Sequence, residues 1–199
     1  MESSAIEFRE KWYVVQRAVV DAATLSFLYG HALALADRGR IPLGDPQVTN
    51  APVAYSDPHM DALLEKMCDK MEEATGLQLW PTYSYLRVYK HGNVLRAHRD
   101  RPASEISMTL NLGISADEPW PICIAGPYGI ASVALNPGDG LIYRGCDCNH
   151  WREPFTGNQM AQVTLHYVDR NGPNAEWKYD KRRDLSRLPE EGRATESLS

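Results

Sequence analysis

The most regular pattern of apolar and polar positions lies between Asp57 and Gly76. Asp57 is a good N-cap residue, Pro58 suits a first helical turn, and Gly76 supplies a C-terminal stop. Between these ends, apolar side chains recur at helical spacing, at Met60, Leu63, Leu64, Met67, Cys68 and Met71. The pattern therefore predicts a helix whose apolar stripe packs against a sheet.

The segments before this helix predict a strand, another helix and a long loop. Residues 11–20 are β-branched and aromatic, as is typical of a strand. Asp21 is placed to cap a helical run that ends at the breaker 39–42. Residues 40–57 contain several prolines and few periodic apolar positions, which indicates a loop and a candidate lid.

After residue 77 the pattern changes to short strands separated by turn residues. We predict strands at about 79–90, 105–113, 121–125, 130–135, 140–144 and 160–169. Their spacing favours an antiparallel sandwich or jelly roll, mainly β, with the helices buttressing one sheet. We expect one domain over 1–177, with a strand and helices over 1–77 and a β core over 78–177. A mixed-charge, partly flexible tail is expected over 178–199.

Composition limits the classes of function that the chain can have. Its 199 residues are 43% hydrophobic and 24% charged, as in an ordinary globular protein. The formal net charge of −5 argues against nucleic acid as a partner. No stretch reaches the roughly 18 apolar residues of a membrane span, and the N-terminus lacks the apolar core of a secretory signal. The four irregularly spaced cysteines favour a reducing compartment, so we expect a cytoplasmic protein without a membrane segment.

The triplet His98-Arg99-Asp100 suggests a metal site. Residues two apart in a strand face the same side, so His98 and Asp100 can converge while Arg99 faces away. Two histidines and one carboxylate form the open site of mononuclear Fe(II) oxygenases. His150, directly after the predicted strand 140–144, is the best third ligand.

Other interpretations of these residues stay open. The triplet could be an exposed, solvated pair in a loop, and His166 could replace His150 as the third ligand. Cys146, Cys148 and His150 could instead belong to a zinc site, although a fourth ligand at suitable spacing is missing.

The surroundings of the triplet carry a family resemblance. Residues 89–100 read Y-x-x-G-x-x-L-x-x-H-x-D, and "NPGDGLIYRG" then leads to "HWREPFTG". In this order, over about residues 79–170, the chain resembles the Fe(II)- and 2-oxoglutarate-dependent oxygenases, particularly the prolyl-hydroxylase-like branch. The resemblance implies a double-stranded β-helix (jelly-roll or cupin-like) core that uses Fe(II), 2-oxoglutarate and molecular oxygen. It also implies that His98, Asp100 and His150 bind the metal and that Tyr89 hydrogen-bonds the far carboxylate of 2-oxoglutarate.

One departure from the family pattern concerns the cation that pairs with this carboxylate. Relatives place Arg or Lys nine to eleven residues after the distal histidine, where this chain has Gln159, Met160 and Ala161. A buried carboxylate still needs a partner. We expect Arg152, two residues after His150, to supply it. Arg87, two residues before Tyr89, is the second candidate, and Arg144 and Arg96 are weaker ones.

The implied activity is hydroxylation of an unactivated C–H bond, with release of succinate and CO2 and no catalytic residue beyond the metal ligands. Gln162, Thr164 and His166 share a strand face and should line the substrate pocket, with Arg96 near its mouth. These polar groups favour a small polar substrate, such as an amino acid or a derivative. The alternatives are a prolyl-type hydroxylase of a protein or peptide side chain, then nucleic-acid demethylation, and a non-enzymatic cupin-like binding module.

Overall fold

Two antiparallel sheets enclose the interior of the fold, and helices cover the larger sheet. The structure, a computed structural model, describes residues 2–187. The helices are α1 (Glu2–Lys11), α2 (Ala22–Asp37) and α3 (Pro58–Thr75). The strands are β1 (Tyr13–Gln16), β2 (Val53–Tyr55), β3 (Leu79–Lys90), β4 (Leu95–His98), β5 (Ile106–Ser115), β6 (Ile122–Gly126), β7 (Gly129–Val133), β8 (Gly140–Arg144), β9 (Asn149–Arg152) and β10 (Gln159–Asp169).

The strand order places β3 and β10, the first and last strands of the β core, beside each other. The major sheet has the order β1-β8-β5-β10-β3-β2, and the minor sheet has the order β4-β9-β6-β7. Every neighbouring pair is antiparallel. The predicted double-stranded β-helix with buttressing helices is confirmed, and the predicted division at residue 77 falls between α3 and β3.

Helix α3 matches its sequence signals. The Asp57 carboxylate accepts hydrogen bonds from the backbone N–H groups of His59 and Met60 at 3.0 and 3.3 Å. Gly76 ends the helix at φ 72°, a left-handed conformation that glycine adopts without steric cost. The apolar stripe packs with α1, α2 and the central strands of the major sheet in one hydrophobic cluster. This cluster fixes the outer face of the sheet whose inner face carries the site.

The N-terminal region differs from its prediction. Residues 2–11 form a helix that was not predicted, and the strand expected over 11–20 is limited to β1. Trp12 and Ala18 have φ of 69° and 47°, so the extended chain breaks on either side of β1. The segment 40–57 is not entirely a loop, since it contains β2 and a bridge between Leu43 and Pro52.

Strands β4 and β9, which carry the predicted metal ligands, were missed as strands because each has only four residues. Leu95 is opposite Arg152 and His98 is opposite His150. Between these two pairs β4 advances by three residues and β9 by two, so β4 contains a bulge. This bulge interrupts the alternation of inward and outward side chains. As a result, Leu95 is buried and His98 is half-buried, while the intervening Arg96 is exposed.

The C-terminal segment packs on the body as far as the structure describes it. The segment Ala175–Lys181, a 3-10 helix interrupted by a kink at residues 178–180, contacts β3. Asp180 accepts two hydrogen bonds of 2.7 Å from Arg101 and one from the Tyr55 hydroxyl. The remainder of the predicted tail, residues 188–199, lies outside the described residues. Among residues 2–187, no helix is long and apolar enough to cross a membrane.

Candidate metal centre

The structure brings His98, Asp100 and His150 together at one point between the sheets. One ligand-type atom from each lies within 4.8 Å of the other two. The Nε2 atoms of both histidines are 3.6 Å from Asp100 Oδ1. The two imidazole rings come from directly paired positions on β4 and β9, with centroids 4.2 Å apart. Such a cluster of two imidazoles and one carboxylate is a suitable donor set for Fe(II).

Backbone carbonyls orient both imidazoles toward this point. His98 Nδ1 lies 2.8 Å from the Arg96 carbonyl oxygen, and His150 Nδ1 lies 3.1 Å from that of Cys148. A carbonyl only accepts, so each Nδ1 carries the proton and each Nε2 presents a lone pair. Burial lowers the pKa of both imidazoles, that of His150 to about 4, which keeps them neutral and able to bind a metal.

Asp100 lies beyond the end of β4 and is held by its backbone. Its N–H donates to the Gly145 carbonyl at 2.9 Å, and its Oδ2 accepts from the Ser107 hydroxyl at 3.2 Å. A Cβ at residue 145 would come 2.2 Å from the Ser104 carbonyl oxygen and 2.5 Å from Asp100 Oδ2, so only glycine fits there. Burial raises the pKa of the Asp100 carboxyl to about 6, which is the expected cost of placing a carboxylate here without a cation.

The zinc hypothesis is wrong for the described residues. Cys146 and Cys148 are not part of the ligand cluster that residues 2–187 form. The Cys148 thiol is directed to the Trp12 carbonyl at 3.9 Å, and that of Cys146 to the Arg101 carbonyl at 3.4 Å. His166 does not belong to the cluster either.

Arg152, on β9 two residues after His150, is a buried cation. Its side chain is 1% exposed and stacks on Trp120, with the guanidinium carbon 4.7 Å from the ring centre. It donates to the Trp120 carbonyl at 2.5 Å and to Gln162 Oε1 at 2.8 Å. Within residues 2–187 no carboxylate lies within 4.0 Å of it. Burial lowers the pKa of Arg152 to about 10, so the group remains charged at neutral pH.

Arg87 differs from Arg152 because it already has a counter-ion. It is also buried, but its Nη2 donates to the Asp45 carboxylate and its Nη1 to the Tyr89 hydroxyl at 3.2 Å. Asp45 in turn accepts from Tyr85 at 2.7 Å and caps two backbone N–H groups of its own loop. Burial opposes the ionisation of Asp45, yet Arg87 and the other donors hold its pKa below the usual range. Arg87 therefore ties the segment 43–52 to the major sheet.

The predicted pocket residues divide into two groups. Gln162, Thr164 and His166 line the same cavity as Asp100 and His150. Arg96 is not among the residues that line the cavity, since the bulge in β4 turns its side chain to solvent while its carbonyl orients His98. Arg99, which was expected to face away, lies at the exposed rim of the cavity instead.

Three residues near the metal centre were not found from the sequence. The Tyr143 hydroxyl lies 3.4 Å from His150 Nε2, and Ser107 bridges Asp100 and His166. Asp45 is the counter-ion of Arg87, which lines the cavity. The alternation in β5 and β8 could have placed Ser107 and Tyr143 on the inner face, whereas Asp45 lies in a loop without any periodic signal.

Fold and site together define a class: a double-stranded β-helix that carries two histidines and one aspartate at the centre of its cavity. No family model and no curated protein matches the chain. Several solved structures match its fold. A prolyl-4-hydroxylase from Pseudomonas putida superposes with a TM-score of 0.69 at 16% identity, over 85% of this chain and 98% of that one.

Two further solved structures contain metal and cofactor. The epimerase SnoN, in complex with Fe3+, α-ketoglutarate and nogalamycin RO, matches at TM-score 0.72 and 15% identity, over 96% of this chain and 91% of that one. HygX from Streptomyces hygroscopicus, with nickel, 2-oxoglutarate and hygromycin B bound, matches at TM-score 0.67 and 11% identity, over 86% and 88% of the two chains. The chain thus has the fold of the 2-oxoglutarate- and Fe(II)-dependent oxygenases, as its resemblance to the prolyl-hydroxylase-like branch implied.

Proposed function

We propose that the protein is an Fe(II)- and 2-oxoglutarate-dependent dioxygenase that hydroxylates a C–H bond of a polar small molecule. The observation that carries this proposal is the convergence of His98, Asp100 and His150, with both Nε2 lone pairs directed at the Asp100 carboxylate. Three protein ligands leave positions open for a chelating co-substrate and for oxygen. Bound Fe(II) and 2-oxoglutarate would supply the oxidising chemistry, in which substrate, O2 and 2-oxoglutarate become hydroxylated product, succinate and CO2.

The protein's own residues would position the co-substrate. In this proposal Arg152 pairs with the distal carboxylate of 2-oxoglutarate, and Gln162 holds the guanidinium in place from β10. The Tyr89 hydroxyl accepts from Arg87, so its proton is available to the same carboxylate. The support for Arg152 over Arg87 is that Arg87 is already neutralised by Asp45.

A small polar substrate, such as an amino acid or a derivative, suits the rest of the cavity. Thr164 and His166 line this region, and Arg99 lies at its rim. The solved relatives SnoN and HygX were captured with nogalamycin RO and hygromycin B, which supports a small molecule. The likeness to a prolyl-4-hydroxylase favours, as the second candidate, a prolyl-type hydroxylase of a peptide side chain.

The proposed compartment is the reducing cytoplasm. Cys68, Cys123, Cys146 and Cys148 are all free thiols in the structure. A reducing compartment would also help to keep iron in the ferrous state. The proposed domain comprises residues 1–177, which include every proposed ligand of iron and 2-oxoglutarate.

The test is succinate formation from 2-oxoglutarate under air with Fe(II), first without substrate and then with pools of polar metabolites and of proline-containing peptides. A mass gain of one oxygen in a metabolite would support the small-molecule proposal, and the same gain in a peptide would favour the second candidate. Absence of succinate with every pool would contradict both and favour a metal- or ligand-binding module.

A further inference from the structure

His166 lies at the end of the cavity that the proposed co-substrate site leaves free. It is four residues beyond Gln162 on β10, which corresponds to roughly 13 Å along a strand. The residue is 5% exposed, and its ring packs against Tyr83 with centroids 4.4 Å apart and the ring planes tilted by 31°. Its direct partner across the sheet is Ser107 on β5. The ring is therefore held in one orientation beside the metal centre.

The protons around Ser107 determine the tautomer of His166. The Ser107 hydroxyl lies 2.8 Å from His166 Nδ1, 3.2 Å from Asp100 Oδ2 and 3.1 Å from the Ser104 carbonyl oxygen. The last two atoms only accept, and the single Ser107 proton must go to one of them or to the imidazole. Among residues 2–187, Ser107 is the side-chain donor to Asp100 Oδ2. A bond to a buried carboxylate is stronger than one to a neutral imidazole.

It follows that the Ser107 oxygen accepts from His166 Nδ1–H. The neutral imidazole then carries its lone pair on Nε2. Burial keeps the pKa of His166 well below its ordinary value, in agreement with a neutral ring. Within the described residues Nε2 makes no hydrogen bond, although the ring forms part of the cavity wall. An acceptor in a largely buried wall without a partner is costly unless a ligand or water supplies a donor.

The charged groups near His166 indicate that its free nitrogen recognises a hydrogen-bond donor of a ligand and not an anionic group. Arg101 packs over Tyr83, with its guanidinium carbon 4.5 Å from the ring centre. Its charge, however, is matched by the two hydrogen bonds to Asp180. A substrate carboxylate would therefore find the guanidinium of Arg101 already paired, whereas an N–H or O–H group would find an acceptor in His166 Nε2.

We propose that His166 Nε2 accepts a hydrogen bond from an N–H or O–H group of the primary substrate, and that Ser107 is a positioning residue that fixes the tautomer. The proposal rests on the proposed oxygenase function and narrows its substrate class. The substrate would be a hydroxylated or amine-bearing small molecule whose donor lies close to the oxidised carbon.

The tautomer can be measured without any substrate. We would record two-bond 1H–15N correlation spectra of the protein labelled with 15N-histidine and loaded with Zn(II) and 2-oxoglutarate, Zn(II) being a diamagnetic substitute for iron. His166→Gln assigns the signal, and His91→Gln, at an exposed histidine, serves as the matched control. We expect the Nδ1–H pattern in the unmodified protein and a shift toward Nε2–H in Ser107→Ala. An Nε2–H pattern in the unmodified protein would overturn the proposal.

A second measurement addresses the substrate. For a metabolite that stimulates succinate formation, O-methylation of its hydroxyl, or methylation of its amine until no N–H remains, should lower kcat/KM at least tenfold in the unmodified protein and less than twofold in His166→Leu. Equal losses in both proteins would overturn the proposal. The 2-oxoglutarate titration of His166→Leu, followed by the absorption band of the Fe(II) complex, separates substrate loss from co-substrate loss. Absence of that band in the unmodified protein would instead contradict the oxygenase function, while the tautomer measurement would still stand.

Discussion

His98 and His150 are direct partners across β4 and β9, and their Nε2 atoms lie at the same distance, 3.6 Å, from Asp100 Oδ1. The pairing of two short strands thus brings together residues that are far apart in the sequence. The backbone carbonyls at 96 and 148 hold the two rings, so the protein's own hydrogen bonds orient both Nε2 atoms. Such preorganisation lowers the entropic cost of coordination.

Removal of a metal ligand should abolish turnover but not folding. We expect Asp100→Ala and His150→Ala to lower Fe(II)-dependent succinate formation to below about 1% of the unmodified level, since an open site with two remaining ligands holds iron poorly. The matched control is Asp147→Ala, at a half-exposed carboxylate before β9. Iron content and circular dichroism are measured alongside activity. Full activity in both ligand variants would refute the ligand assignment.

The affinity of the site for metal should decrease as the pH falls below about 6. Metal requires the ionised Asp100 carboxylate, whose pKa is raised to about 6 by burial, so protons compete below that pH. His150, with its pKa lowered to about 4, stays neutral over the same range and adds no competition. We expect Zn(II) affinity to fall about fivefold between pH 6 and pH 5, as for one proton that binds with a pKa of about 6. Calorimetric titrations at several pH values measure this slope, and a two-proton slope would contradict it.

Arg152 and Arg87 should respond in opposite ways to the same substitution. Arg152→Met removes the cation proposed for 2-oxoglutarate, so the Kd of 2-oxoglutarate should rise about 10- to 100-fold. It also removes a buried charge without a carboxylate partner, so the melting temperature without 2-oxoglutarate should be unchanged or higher.

Arg87→Met is the comparison for this prediction. It leaves Asp45 buried without its counter-ion, which should cost about 3–5 kcal/mol of stability. Thermal denaturation and 2-oxoglutarate titration distinguish the two. If only Arg87→Met lost 2-oxoglutarate affinity, the assignment of the carboxylate partner to Arg152 would be wrong.

Gly145 should be required for the position of Asp100. Gly145→Ala would place a Cβ 2.5 Å from Asp100 Oδ2, so the carboxylate or its supporting backbone must move. We expect a loss of roughly 10- to 100-fold in metal affinity, as for other residues that support metal ligands. Gly30→Ala, on α2 with open space around the position, is the control and should bind metal normally. Unchanged metal affinity in Gly145→Ala would contradict the packing argument.

The sequence predicted the elements that have strong local signals. The caps and apolar stripe of α3 define it without tertiary context, and β3 and β8 have the bounds expected from their turn residues. Strands β4 and β9 have too few residues to show alternation. Helix α1 is polar on most sides, so its sequence carries no apolar stripe to predict it.

Within the site, the sequence predicted what depends on spacing and missed what depends on tertiary contacts. The family pattern identified His98, Asp100 and His150, and these three converge in the structure. The exposed position of Arg96 could not be predicted, because the bulge in β4 is set by pairing with a distant strand and alternation along one strand cannot reveal it. Asp45 was missed because only the fold brings its loop to Arg87.

The ion pair between Asp180 and Arg101 limits where this protein can be shortened. A chain that stopped at residue 177, the edge expected for the domain, would keep every proposed ligand of iron and 2-oxoglutarate. It would nevertheless leave the Arg101 guanidinium, next to Asp100 in sequence, without its counter-ion. The turns around residue 180 therefore neutralise a guanidinium that lines the cavity, and trimming them would create an anion-attracting patch beside His166.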